Sequence, residues 1–131
     1  VSGFEPISEG DEAIAKQVLD AAFRVHSKLG PGLLESVYEH CLCHELKRQA
    51  VAFDRQPLLA IDYDGEIIDA GLRLDVFVAK RVVVELKAVE QLAPIHEAQL
   101  FTYLKLTGCR LGLLLNFNVQ HLKDGIKRVV R

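Results

Sequence analysis

The sequence contains no methionine, so Val1 is not an initiator residue and the chain is expected to be a processed or trimmed product. No apolar run approaches ~18 residues, the length a membrane-spanning helix needs, and the first thirty residues lack the charged-then-apolar pattern of a secretory signal. Cysteine is scarce: Cys41, Cys43 and Cys109 cannot all pair, and the first two stand too close together to staple a fold. That usage points to a reducing, cytoplasmic compartment. Neither sign of charge dominates, with 16 Lys and Arg against 18 Asp and Glu in 131 residues, which excludes a disordered acidic or basic tail.

Half of the residues are apolar, enough for one core, and a single domain over residues 1–131 is expected at this length. The net charge of −2 hides an asymmetry. Residues 101–131 hold one acid, Asp124, against Lys105, Arg110, Lys123, Lys127, Arg128 and Arg131. A basic C-terminal segment can face a polyanion, or can simply be a solvated last turn.

Ile14, Val18, Ala22, Val25 and Leu29 form a helical stripe over 11–29, for which Asp11 is a plausible N-cap. Gly30-Pro31-Gly32 breaks the chain, and a second helix from about Leu33 to Arg48 carries Leu34, Tyr38, Cys41, Leu42 and Leu46 on one side. Leu58 to Tyr63 reads as a strand, Asp64-Gly65 as a hairpin turn, and Ile67 to Val78 as a second, longer strand. Arg81 to Val89 is a third strand, apolar on both faces around Glu85 and therefore central to a sheet. Pro94 opens a third helix to about Leu106, Gly108 ends it, and Leu111 to Asn116 forms a further buried strand. A strand, helix and strand in one sheet make a crossover connection. The tail from Gln120 reads equally as a helical turn or an edge strand. The architecture is α/β: N-terminal helices, a three-stranded antiparallel meander, a crossover helix and a further strand in a mixed sheet.

Asp75, Glu85 and Lys87 carry the chemistry. Glu85 and Lys87 share one face of their strand, while Val84 and Leu86 share the other. If Ala79-Lys80-Arg81 is the turn, Val78 faces Val82 and Asp75 faces Glu85. The two carboxylates then stand roughly 5 Å apart in mid-sheet, tenable only with a cation between them or a shared proton. A two-residue turn would instead oppose Asp75 to Val84. Hard oxygen donors favour Mg²⁺ or Mn²⁺ over zinc, and Lys87 would put an ammonium beside the ion. The plain alternative is an ordinary salt-bridged strand, although charges within Val82-Val83-Val84-Glu85-Leu86-Lys87 are unusual unless paired or metal-bound.

Asp75, nine intervening residues and then Glu85-Leu86-Lys87 resemble the D…ExK core of the PD-(D/E)xK nuclease superfamily, whose restriction-endonuclease-like core has the same element order. Gly32-Leu33-Leu34-Glu35-Ser36-Val37-Tyr38 matches the name-giving motif of the GxxExxY protein family. His26, Leu29-Gly30-Pro31, Glu45-Leu46, His96, Gln99, Tyr103-Leu104 and Asn116-Phe117 fall where that family has them, and the likeness runs from about Ile14 to Arg131. The resemblance implies that Asp75 and Glu85 are metal ligands, with the Leu86 carbonyl as a third oxygen and Lys87 as the catalytic lysine. Glu35 resembles the helix-borne acid that many members aim at the metal, often through water. Tyr38 shares its helix face and is either site-facing or a core aromatic with its hydroxyl tied to a neighbour. Gln99 and Tyr103 are similar to the Q-x3-Y pair that many superfamily exonucleases carry beside the active site; the plainer reading is the polar rim of an amphipathic helix. Asn118 departs from the pattern, standing where a glycine is expected, and asparagine tolerates the left-handed conformation.

By that resemblance the protein is a Mg²⁺- or Mn²⁺-dependent nuclease acting on nucleic acid, with DNA as the expected substrate. The alternative is a non-catalytic nucleic-acid- or protein-binding module on the same fold. The near-neutral charge and only six Phe and three Tyr argue against tight autonomous binding, and fit a homodimer or a partner that supplies recognition. Zinc is the weaker metal reading. His40, Cys41, Cys43 and His44 crowd one helix, but Cys41 and Cys43 point about 200° apart on it. Cys41 reads as a small core residue. Cys109 has no assignable base, and Gly30-Pro31-Gly32 follows no strand and precedes no Gly-Lys-Ser/Thr.

Overall fold

The computed structural model describes residues 5–131. Helix α1 (Glu9–Leu29) is capped by Ser8, whose Oγ accepts the Asp11 N–H at 3.1 Å. Ser8, not Asp11, is thus the N-cap. Asp11 is buried one turn further in and pairs with Arg81. Gly30, at φ 68°, takes the chain out of α1 in a conformation only glycine adopts without strain. Helix α2 (Glu35–Arg48) starts two residues later than the sequence pattern suggests. Its inner face is Tyr38, Leu42, Cys43 and Leu46; Cys41 is only half-buried and Leu34 is 74% exposed. Buried Glu45 joins the two helices through Arg24, at 2.9 Å.

Strands β1 (Phe53–Arg55), β2 (Leu58–Tyr63), β3 (Glu66–Arg73), β4 (Val76–Val78) and β5 (Val82–Lys87) follow. The run expected as one strand from Ile67 to Val78 is divided at Leu74 and Asp75, and its halves lie in different sheets. β3 pairs only with β2 in a two-stranded hairpin, whereas β4 enters a five-stranded sheet of order β1-β4-β5-β6-β7. β1, too short to announce itself in the sequence, pairs with β4. The physical reason for the break is local. The Asp75 side chain itself takes the Leu86 N–H, so its backbone leaves the ladder there.

Helix α3 (Pro94–Thr107) then crosses to β6 (Leu111–Asn116), which lies parallel to β5. The ambiguous tail is both things in turn: a 3₁₀ turn over Leu122–Gly125, then edge strand β7 (Ile126–Val130), antiparallel to β6. Gly125 is required by close approach, since a Cβ there would meet the Asn116 carbonyl oxygen at 2.1 Å.

The sheet separates two cores. Val82, Val84 and Leu86 face α1 and α2 with Val18, Val25, Tyr38, Leu42 and Phe117. Val83 and Leu114 face α3 with Leu74, Leu100, Tyr103 and Leu104. Alternation along β5 therefore turns Glu85 and Lys87 toward α3. Most of the basic C-terminal charge is used internally. Arg128 grips Glu12 with two bonds of 2.7 and 2.6 Å, Lys127 lies 3.8 Å from Glu97, and Arg110 and Arg131 donate to backbone carbonyls. Cys41, Cys43 and Cys109 are free thiols. Among the described residues no helix is long and apolar enough to cross a membrane.

Candidate active site

Val78 pairs with Val82 and Val76 with Val84, so the turn is Ala79-Lys80-Arg81 and the next residues outward are Asp75 and Glu85. Ala79 and Lys80 both take positive φ, 53° and 54°, to close it. The two carboxylates are tied in a reciprocal pattern. Glu85 Oε2 accepts the Asp75 N–H at 2.8 Å, and Asp75 Oδ2 accepts the Leu86 N–H at 2.8 Å. Each carboxylate is held by one oxygen, which leaves the other oxygen of each for a further partner.

Glu85 is 5% exposed. Burial first, and then the Asp75 charge, push its carboxyl up to about 8, against the pull of its backbone hydrogen bond and of Lys87. Burial likewise pushes Asp75 up to about 6; Glu35 and Glu39 add to the rise, while the Leu86 N–H and Lys87 oppose it. Two adjacent carboxyls this reluctant to ionise are a site that gains from a cation. The donor set is hard oxygen, and that fits Mg²⁺ or Mn²⁺. Among the described residues no three His, Cys, Asp or Glu side chains form a group able to hold an ion, so remaining donors would come from backbone and water. One backbone oxygen is well directed. Lys87 O accepts the Phe117 N–H on the β6 side, at 2.9 Å, so the alternating Leu86 carbonyl points to the Asp75 side.

Lys87, at the C-terminal end of β5, is half-buried and forms no ion pair among the described residues. Tyr103 lies buried on α3 over the same face, its hydroxyl pushed up in pKa by burial and then by the charges of Glu85 and Asp75. Glu35, exposed in the first turn of α2, lies near enough for its charge to raise the pKa of Asp75 and Glu85. Desolvation raises its pKa, Lys87 opposes that, and Glu39 adds to it. The fold therefore gathers Asp75, Glu85, Lys87, Tyr103 and, at the rim, Glu35. Gln99, one helical turn before Tyr103 on α3, is exposed and makes no hydrogen bond among the described residues.

Tyr38 is a core residue rather than a site residue. Its ring stacks on Phe117 with centroids 4.7 Å apart, and its hydroxyl donates to Gly30 O at 2.5 Å and accepts the Leu33 N–H at 3.1 Å. Asn118 does not use the left-handed region; its Oδ1 accepts the Gly32 N–H at 3.0 Å. Asn116, buried, binds both the N–H and the carbonyl of Val89, at 3.1 and 2.9 Å. His96 serves α3 by accepting the Ala93 N–H at 3.0 Å. These motif residues lock the loops beyond β5 and β6 around the site. On α2, Cys43 is buried with its thiol pushed up to about 11 by desolvation, unlike a metal-binding thiolate.

No pattern in the sequence singles out Glu39. It is 4% exposed, one helical turn after Glu35, and its Oε2 accepts Arg55 Nε at 2.8 Å and Gln56 Nε2 at 2.9 Å. A buried acid on a helix face is a recognisable signal only once the facing residues are known, and those lie in a segment of no clear periodicity.

A family model described as the PD-(D/E)XK nuclease superfamily matches residues 12–129. No curated protein and no solved structure gave a significant match.

Proposed function

Because the chain belongs to the PD-(D/E)XK nuclease superfamily, we propose that it hydrolyses nucleic-acid phosphodiester bonds with a divalent metal, Mg²⁺ or Mn²⁺. The observation that supports this reading most is the buried Asp75–Glu85 pair with Lys87 one pleat along on the same face. Asp75 and Glu85 would hold the ion with the Leu86 carbonyl, and Glu35 would reach it through water. The ion would supply Lewis-acid polarisation of the phosphate and a more acidic bound water.

Lys87 acts by charge and by hydrogen bonding. It is the unpaired cation on this face of β5, where it can orient the attacking water and offset negative charge growing on the phosphate. Tyr103 offers a hydroxyl beside the carboxylates, and Gln99, exposed one turn before it on α3, would contact the substrate. The substrate class is nucleic acid, with DNA the first choice, and the compartment cytoplasmic. Half of the protein's 16 Lys and Arg are engaged in internal ion pairs among the described residues, which favours recognition by a homodimer or a partner over tight autonomous duplex binding.

The test is a cleavage panel of labelled single-stranded, duplex and branched DNA and RNA, with Mg²⁺, Mn²⁺ or EDTA, run on the native chain, Asp75→Ala and Lys87→Ala. Metal-dependent cutting that both variants lose is expected. Cutting that survives in both variants would sink the site assignment. No cutting by the native chain on any substrate would favour a binding module instead.

A further inference from the structure

We infer that Glu39 is a positioning residue that holds Asp75 in place through the Gln56 bend; its bearing on catalysis rests on the nuclease reading above. Asp75 lies where the chain leaves one sheet for another, so it has lost the ladder bonds that fix a strand residue. Three contacts replace them. Glu85 takes its N–H, Leu86 donates to its carboxylate, and Gln56 N–H donates to its carbonyl at 2.8 Å. The segment that makes the third contact also accepts the Leu74 N–H at Pro57 O, at 3.2 Å, so residues 56–57 clamp both residues of the break.

That clamp is not self-supporting. Gln56 sits at φ 53°, in the left-handed region that a residue with a Cβ enters only when its surroundings hold it there. Glu39 is what holds it. From inside α2, its single oxygen Oε2 binds the side chain of Gln56 and the guanidinium of the preceding residue, Arg55. Packing alone would be better served at position 39 by an apolar side chain, because burying a carboxylate is costly unless it is paired. The acid is there for what it grips. A helix in one core is thereby joined through two hydrogen bonds to the backbone carbonyl of Asp75, the residue whose carboxylate defines the site.

The test uses ¹⁵N-labelled full chain without metal and reads native-state amide exchange in Glu39→Gln and in Gln56→Ala. The alanine variant keeps the strain of the left-handed bend while removing the side-chain bond to Glu39. Exchange at Leu86, whose N–H is held by the Asp75 carboxylate, is expected to speed at least tenfold in both variants, with the Val18 and Leu113 amides within twofold of the native chain. Unchanged Leu86 protection in both overturns the inference, as does an equal loss at all three amides, which would mean a global rather than a local role. Mn²⁺ calorimetry should then show about tenfold weaker binding in both variants, and turnover should fall with KM unchanged. If the native chain cuts nothing while Leu86 protection is still lost, the nuclease reading fails and the positioning role stands.

Discussion

Asp75 and Glu85 hold each other's strands rather than each other: Glu85 accepts the Asp75 N–H, and Asp75 accepts the N–H of the residue following Glu85. The carboxylates are thus fixed by backbone on one side and left with free oxygens on the other. Burial raises both carboxyls, and the Asp75 charge further discourages ionisation of Glu85.

This arrangement gives the metal-free protein an unusual pH dependence. Both folded-state values, about 6 for Asp75 and about 8 for Glu85, lie above the ordinary 3.8 and 4.5. Between those limits the unfolded chain has already released protons that the folded chain still binds, so this pair's contribution to stability falls as pH rises from about 4 to about 8. Urea unfolding in EDTA across that window should show the decline, and Mn²⁺ should flatten it. Glu85→Gln, which keeps an acceptor for the Asp75 N–H, should stabilise the metal-free protein at pH 8 by about 1–3 kcal/mol. A native chain equally stable at both ends of the window, with no gain in Glu85→Gln, would contradict the assignment.

Lys87 and Asp75 should separate in a binding experiment. Asp75→Asn removes a donor charge and should weaken Mn²⁺ binding by about 100-fold or more in calorimetry. Lys87→Met removes no donor and should leave the affinity the same or slightly tighter, while turnover falls by roughly 10²–10³. Equal loss of metal affinity in both variants would mean that Lys87 is structural.

Tyr38→Phe tests the assignment of that residue to the core. The stack on Phe117 persists, but the Gly30 carbonyl and Leu33 N–H lose their partner, at a cost of about 1–3 kcal/mol. Thermal melting should register the loss, while specific activity of the folded fraction should stay within about threefold. A collapse of activity without a change in melting temperature would return Tyr38 to the site.

Two glycine substitutions should behave oppositely. Gly125→Ala drives a methyl group into the Asn116 carbonyl, 2.1 Å away, and should cost about 2 kcal/mol or more, since backbone must move. Gly10→Ala meets nothing nearer than Ser8 Oγ at 4.0 Å and should stabilise α1 by up to about 1 kcal/mol. Chemical denaturation of the two variants side by side checks both.

Much of this was legible in one dimension because the signals are local. Helical periodicity marks α1 and α2, Gly30-Pro31-Gly32 separates them, Gly108 ends α3, and the doubly apolar run around Glu85 marks a central strand. The register that brings Asp75 beside Glu85 follows from counting through the turn Ala79-Lys80-Arg81, because strand side chains alternate strictly. Tertiary structure decided what depends on partners distant in sequence. Whether Ile67 to Val78 stays one strand depends on Asp75 choosing the Leu86 amide over its own ladder. Whether Tyr38 faces the site or the core depends on Phe117, and whether a basic tail is available depends on Glu12 and Glu97. Glu39 is the clearest case. Nothing around it in the sequence distinguishes it from a solvated helix acid, and only the folded chain, by bringing Arg55 and Gln56 to its buried carboxylate, gives that charge a reason to be inside.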